Sequence, residues 1–241
     1  MSNFIQLVRA EEFPEKITWQ WRDSFALLII PLILFNGYFL EKIFGISANV
    51  ALGDSLFRGI LFALVCYLYK DMLYVHWQKY KRAFWRSSVL VIVGAVLLQV
   101  VVSITRQFLP ITASTESHEQ IDPNSIAFST LLLISLGPLF TALLEDIVFR
   151  YTLLHKLFVQ PWLWRVVLVL LNSILFGLIH YHNFDGNVIA TISFMTAGLF
   201  LNLIYLWTRN LWHVLLIHFL NNAVLSLGAV ILLKIMTSLT G

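Results

Sequence analysis

Charge is scarce in this chain. Asp, Glu, Lys and Arg make up 12% of its 241 residues, against about 25% in soluble domains. So few charges cannot cover a water-facing surface, which excludes an ordinary soluble globular domain. Cysteine is scarcer still. Cys66 is the single one, so no intrachain disulfide can form and cysteine usage says nothing of the redox compartment. Internal repeats and low-complexity tracts are missing. So is the His-Glu-x-x-His spacing of helical zinc sites. The net charge of +3 is too small and too dispersed for a nucleic-acid surface, so no nucleic-acid partner is expected.

What is present is apolar. Hydrophobic residues are 59% of the chain, with 8 Trp, 8 Tyr and 19 Phe, and the mean hydropathy is +0.81. The solvent is therefore expected to be a lipid bilayer. A spanning helix needs about 20 mostly apolar residues. Seven such stretches are read, at 24–44, 56–75, 87–104, 126–149, 166–181, 188–207 and 211–233. The expected fold is all-α, a polytopic membrane bundle of about seven helices with its chemistry in the last four. Segment 1–23 is expected to be an interfacial N-terminal piece, 24–125 the N-terminal helices, 126–233 the core and 234–241 a short tail. The polar start, with Glu11, Glu12, Glu15 and Lys16 before any apolar run, is unlike a cleavable signal peptide, so the first span is its own insertion signal. Trp19 and Trp21 read as interfacial anchors.

Loop charges alternate. Lys79, Lys81, Arg82 and Arg86 follow the second span, Arg150, Lys156 and Arg165 the fourth, and Arg209 the sixth. Glu116, Glu119 and Asp122 outweigh Arg106 after the third, and Asp185 stands alone after the fifth. Basic loops stay cytoplasmic, so the N-terminus is expected inside and the C-terminus outside.

An ionisable side chain in hydrocarbon costs about 2.5–3.5 kcal/mol on insertion scales, and three stretches carry such groups. In Glu145-Asp146-Ile147-Val148-Phe149-Arg150, Asp146 and Arg150 are four apart and share a helix face. Glu145 is turned about 100° away and free to point into a cavity. The bland alternative is a solvated ion pair at a helix end. Phe176 lies one turn before His180, which closes an apolar run in which Gly177 permits close helix approach. By itself His180 also reads as an interfacial histidine. His218 and Asn222 share a face of the last span, as interhelical glue or as an oxyanion-binding pair. A carboxylate beside a histidine activates water, and donors opposite stabilise a tetrahedral oxyanion. Together these are the parts of a hydrolase. His76, His118, His155 and His213 fall in or beside connecting loops and carry less weight, as does His182 at the rim.

Glu145-Asp146-x-x-x-Arg150, Phe176-x-x-x-His180 and His218-x-x-x-Asn222 resemble, in order and spacing, the three motifs of the CAAX protease and bacteriocin-processing family of intramembrane endopeptidases (CPBP, or Abi). The resemblance covers roughly residues 126–233. It implies a metal-free, cofactor-free glutamate-type peptidase acting on a membrane-associated peptide or protein. Glu145 with His180 would activate the water, His218 and Asn222 would hold the oxyanion, and Arg150 would orient the carboxylates. One departure stands out: the family's second glutamate is Asp146 here. That is conservative if the position is structural and damaging if it touches the water. A catalytically silent adaptor of the same family, a zinc site built from Glu145, His180 and His218, and a transporter are the competing readings. One geometric condition follows. A simple hairpin at about 1.5 Å per residue separates Glu145 from His180 by well over 10 Å. They meet only if the fourth helix continues past Arg150 toward His155 or the fifth starts later.

Overall fold

The computed structural model describes residues 2–110, 125–184 and 186–240. His118, Glu116, Glu119, Asp122 and Asp185 lie outside the described residues. Among those described, all regular structure is helical. A short α1 (Ser2–Val8) precedes α2 (Trp21–Phe44), which runs unbroken through Pro31 and stops at Gly45, whose φ of 69° suits glycine. The next helix, α3 (Ala48–Leu68), starts where the Ser47 hydroxyl accepts from the Val50 N–H. An amphipathic α4 (Lys70–Lys81) and then α5 (Phe84–Gln107) follow. The chain resumes with α6 (Phe128–Ser135), α7 (Gly137–Asp146) and a π-helical segment, Ile147–His155. Beyond it come α8 (Trp162–Leu178), a 3-10 turn at Tyr181–Phe184, α9 (Val188–Thr208), α10 (Leu211–Leu225) and α11 (Leu227–Thr240). Asn187 and Asn210 cap α9 and α10 by accepting from Ala190 N–H and Trp212 N–H.

Six of these stretches are long and apolar enough to cross a membrane: Trp21–Phe44, Ala48–Leu68, Phe84–Gln107, Phe128–His155, Val188–Thr208 and Leu211–Leu239. The shorter apolar helix Trp162–Leu178 stands where the expected fifth span lies. The chain is a polytopic helical membrane bundle. The second span differs most from its expected place at 56–75. It starts eight residues earlier because its two charges cancel: Asp54 and Arg58 pair at 2.6 Å, one turn apart. The helix then breaks at Tyr69, which is fully buried, with its hydroxyl bonded to the Arg22 carbonyl and Asp23.

Several of the basic segments share an end with the N-terminus. The Ala10 N–H donates to the Arg209 carbonyl, and Arg209 pairs with Glu12. The Asn210 amide donates to the carbonyls of Val8 and His76. Glu11 sits between His76 Nε2 at 3.4 Å and His155 Nε2 at 3.2 Å, and Lys156 pairs with Asp23. His76, His155 and His213, placed in or beside loops by sequence, are all buried. Residues 9–20 therefore strap one end of the bundle, and the strap covers two of these histidines.

Two glycines let the site helices close on one another. A Cβ at Gly177 of α8 would collide with the Met195 side chain and stand 2.8 Å from the Met195 nitrogen and 2.9 Å from the Thr191 carbonyl oxygen of α9. A Cβ at Gly198 of α9 would stand 2.8 Å from the Phe176 ring. The close approach expected at Gly177 is thus the α8–α9 contact.

Candidate active site

Phe128–His155 is one near-continuous rod, interrupted only at Leu136, just before Gly137 and Pro138 begin α7. It extends six residues past the expected end at Phe149, so Glu145 lies ten residues before the end of the rod. This meets the geometric condition by its first route. The second route is not taken: α8 begins at Trp162, earlier than expected. His180 sits just past the C-terminal end of α8, where the chain turns into the 3-10 segment. The π-helical turns carry Arg150, and the carbonyl of Phe149 inside them accepts from the buried Asn172 amide of α8. Single π turns within helices often mark functional sites.

Three motif side chains converge. Glu145 Oε1 is 3.8 Å from His180 Nε2, and its Oε2 is 3.8 Å from His218 Nε2. His180 Nδ1 is 2.8 Å from the Phe176 carbonyl oxygen. A carbonyl only accepts, so Nδ1 carries a proton. In the neutral ring Nε2 then presents its lone pair toward Glu145. At 3.8 Å the gap is too long for a hydrogen bond and suits a bridging water. Glu145 is 5% exposed, buried except toward a cavity of about 300 Å³ that His180, His218, Asn222 and Pro138 also line. Ile30, Ile33 and Leu34 of α2 supply apolar wall.

Asp146 stands behind this cavity rather than on it. It is fully buried, pairs with Arg150 Nη1 at 3.2 Å, and places Oδ2 3.4 Å from His218 Nδ1. His218 thus lies between two carboxylates, one at each ring nitrogen. Arg150, also fully buried, lays its guanidinium 4.1 Å over the Phe176 ring. Phe176 in turn packs against both His180 and His218, with ring centroids at 5.2 and 5.8 Å. The aromatic position of the second motif is therefore a platform under the cation and both imidazoles. The methylene missing from Asp146 falls where it sets a histidine and an arginine, away from the cavity lining.

Asn222 lines the cavity, donates Nδ2–H to the Pro138 carbonyl at 3.0 Å and accepts at Oδ1 from Asn221 at 3.2 Å. His182 is exposed and does not line the cavity. Among the described residues no three His, Cys, Asp or Glu side chains are arranged to hold a metal ion. Glu145 meets its two histidines through different oxygens.

Sequence reasoning missed a cavity residue in the first half. Arg58 lines the cavity and donates to Asp54 and, at 2.8 Å, to the Thr141 hydroxyl, one turn before Glu145. Asp54 is also held by the Asn36 amide at 2.9 Å. The signal was available: Asp54 and Arg58 have the same four-residue spacing as Asp146 and Arg150, inside an apolar run.

The helices that build this site coincide with a family model, type II CAAX prenyl endopeptidase Rce1-like, which matches residues 127–224. Over residues 127–224 the chain is similar to the Rce1-like family. All three motifs of the site fall within that span, so the Rce1-like core is the segment that supplies Glu145, His180, His218 and Asn222. Arg58 and the helices before α6 lie outside it. That family is one of intramembrane proteases, which supports an intramembrane CAAX-type protease reading of this segment. No curated protein and no solved structure gives a match to compare with.

Proposed function

We propose that this protein is a glutamate-type intramembrane endopeptidase that cleaves a membrane-associated peptide or protein. The observation that carries this reading is Glu145 set 3.8 Å from both His180 and His218 on the wall of a cavity at the heart of an apolar bundle. A water between Glu145 and His180 donates one proton to each and turns its oxygen lone pairs toward a carbonyl entering the cavity. As the oxygen bonds to the carbonyl carbon, Glu145 takes the proton. The new oxyanion lies opposite, within reach of His218 and Asn222. His218 faces Asp146 with Nδ1 and the cavity with Nε2, so Nε2 is the nitrogen turned toward the oxyanion. Asn222 has its oxygen and one N–H engaged, which leaves the second N–H for the oxyanion. When the C–N bond breaks, Glu145 returns its proton to the leaving amine. The sum is one peptide bond and one water converted to an acid and an amine.

Asp146 and Arg150 act behind the reacting atoms. Arg150 holds Asp146, and Asp146 aims His218. This supports Asp in place of the family's Glu as compatible with activity.

The substrate belongs to the prenyl-protein, bacteriocin or peptide-signal classes. The excess of Lys and Arg in alternate loops supports a cytoplasmic N-terminus, in a bacterial plasma membrane. The test compares membrane-proteome N- and C-termini between wild type and Glu145→Gln, a near-isosteric change that removes the base. Termini present in wild type and lost in the variant, with the variant folded and at normal abundance, are expected. Unchanged termini in both Glu145→Gln and His180→Ala would sink the assignment.

A further inference from the structure

Asn222 is the end of a directional chain of carboxamides that begins on a lipid-facing helix. We propose that Gln99 of α5 is a positioning residue for the peptidase: through Asn221 it sets which way the Asn222 amide faces. The inference rests on Asn222 as an oxyanion donor.

The geometry begins with helix approach. A Cβ at Gly94 of α5 would stand 2.5 Å from Ile217 Cδ1 of α10, so the two helices touch there. Five residues beyond Gly94 and four beyond Ile217, Gln99 and Asn221 meet by a hydrogen bond from Gln99 Nε2 to Asn221 Oδ1. Asn221 Nδ2 then donates to Asn222 Oδ1 at 3.2 Å, and Asn222 Nδ2 donates to the Pro138 carbonyl at 3.0 Å. Every link runs the same way, from donor to acceptor toward the cavity.

A carboxamide flipped by 180° exchanges its donor and acceptor ends, so each amide's orientation constrains the next. The chain terminates on a backbone carbonyl, which accepts only. That end admits Nδ2 of Asn222 and rejects Oδ1. The other end is set by Gln99. With both ends satisfied, Asn222 keeps one N–H for the cavity.

The surroundings of Gln99 argue against a merely tolerated polar residue. It and Asn221 line a groove of about 470 Å³ whose other walls include Ile92, Val96, Val100 and Val224. In such a groove a leucine would pack well. An amide pair there is commonly interhelical glue of small effect. Glue predicts a small loss of stability with the rate unchanged. A positioning role predicts a loss of rate.

The experiment measures kcat and KM for four variants on a peptide whose cleavage Glu145→Gln abolishes, starting from an internally quenched prenylated CAAX peptide. Loss of one oxyanion donor lowers kcat by about 100- to 1,000-fold, and Asn222→Ala is expected in that range. Gln99→Glu keeps the shape and, assayed at a pH high enough to ionise it, can only accept. It draws Asn221 Nδ2 toward itself, turns Asn221 Oδ1 on Asn222 and sets an acceptor against the Pro138 carbonyl. Its kcat is expected to approach that of Asn222→Ala, with KM within about 2-fold. Gln99→Leu, which suits the groove and keeps folding safe, is expected to lose about 10-fold in kcat because the amides are then held only at the Pro138 end rather than reversed. In the Asn222→Ala background, Gln99→Leu is expected to change kcat no further, since the amide it sets is gone. A wild-type kcat for Gln99→Leu overturns the proposal. So does an equal loss in both backgrounds, which would mark a general structural effect. Full activity of Asn222→Ala overturns it in a distinguishable way, by removing the oxyanion role on which it depends.

Discussion

Replacing Arg150 by methionine isolates the charge at the centre of the site. Methionine keeps most of the aliphatic stem and its packing, so the change is largely electrostatic. Arg150 is fully buried, and its shortest contacts are Asp146 at 3.2 Å, the Gly198 carbonyl at 3.4 Å and the Phe176 face at 4.1 Å. The carbonyl contact is marginal, and Gly198 lies inside α9, where its carbonyl also serves the helix. Breaking a buried pair by removing one partner costs about 3–5 kcal/mol, because the remaining charge is left in low dielectric. The contact with Phe176 adds up to about 2 kcal/mol when desolvated, but it vanishes with the same charge and is not simply additive. A destabilisation of about 3–5 kcal/mol is therefore expected for Arg150→Met. Asp146→Asn, which strands the arginine instead, should cost a similar amount. The double variant leaves no unpaired charge, and its loss should fall short of the sum by at least about 2 kcal/mol. The assay is reversible unfolding in mixed detergent micelles for wild type, both single variants and the double. Additive losses, with a coupling below about 0.5 kcal/mol, would refute the pairing of Asp146 with Arg150 as the source of the stability.

Two further perturbations test other parts of the fold. Gly177→Ala places a Cβ under 3 Å from α9 backbone atoms; backbone cannot rotate away, so a loss at or above the upper end of the usual 1–3 kcal/mol for overpacking is expected, measured by the same unfolding assay, whereas a neutral result would mean that α8 and α9 are not held this close. At the strap, burial alone would raise the Glu11 carboxyl, but hydrogen bonds from His155 and His76 outweigh it and hold it below its ordinary 4.5. His76 Nδ1 accepts from the Leu211 N–H, so its proton sits on the nitrogen facing Glu11. A carboxyl depressed in the folded state stabilises above its unfolded value and loses that contribution as pH falls. The thermal midpoint should therefore drop on acidification below pH 4.5, and by less in Glu11→Gln; parallel curves for the two proteins would exclude the linkage.

Some elements were legible locally and others were not. Asp146 and Arg150 could be paired from their spacing because two residues four apart on a helix meet whatever surrounds them. Glu145 could be turned away from that pair by the same helical geometry. The Asp54–Arg58 pair was equally readable. It went unread because two charges near the start of an apolar run look like a loop until their cancellation is recognised. His76, His155 and His213 could not be read as buried, because the strap that covers two of them comes from the other end of the chain.

By itself, the sequence determines a membrane protein made of helices and the spacing of three polar motifs within them. Those follow from composition, span length and short-range periodicity, which are properties of adjacent residues. The tertiary structure decides that Glu145 stands near both histidines, that Asp146 stands behind His218, and that from the first half Arg58 lines the cavity and Gln99 bonds Asn221. Each of these depends on helix extension and close approach: six further residues on the rod through Arg150, and glycines at the α8–α9 and α5–α10 contacts. Distances between helices are fixed by how side chains interlock across the bundle, and no single helix contains that information.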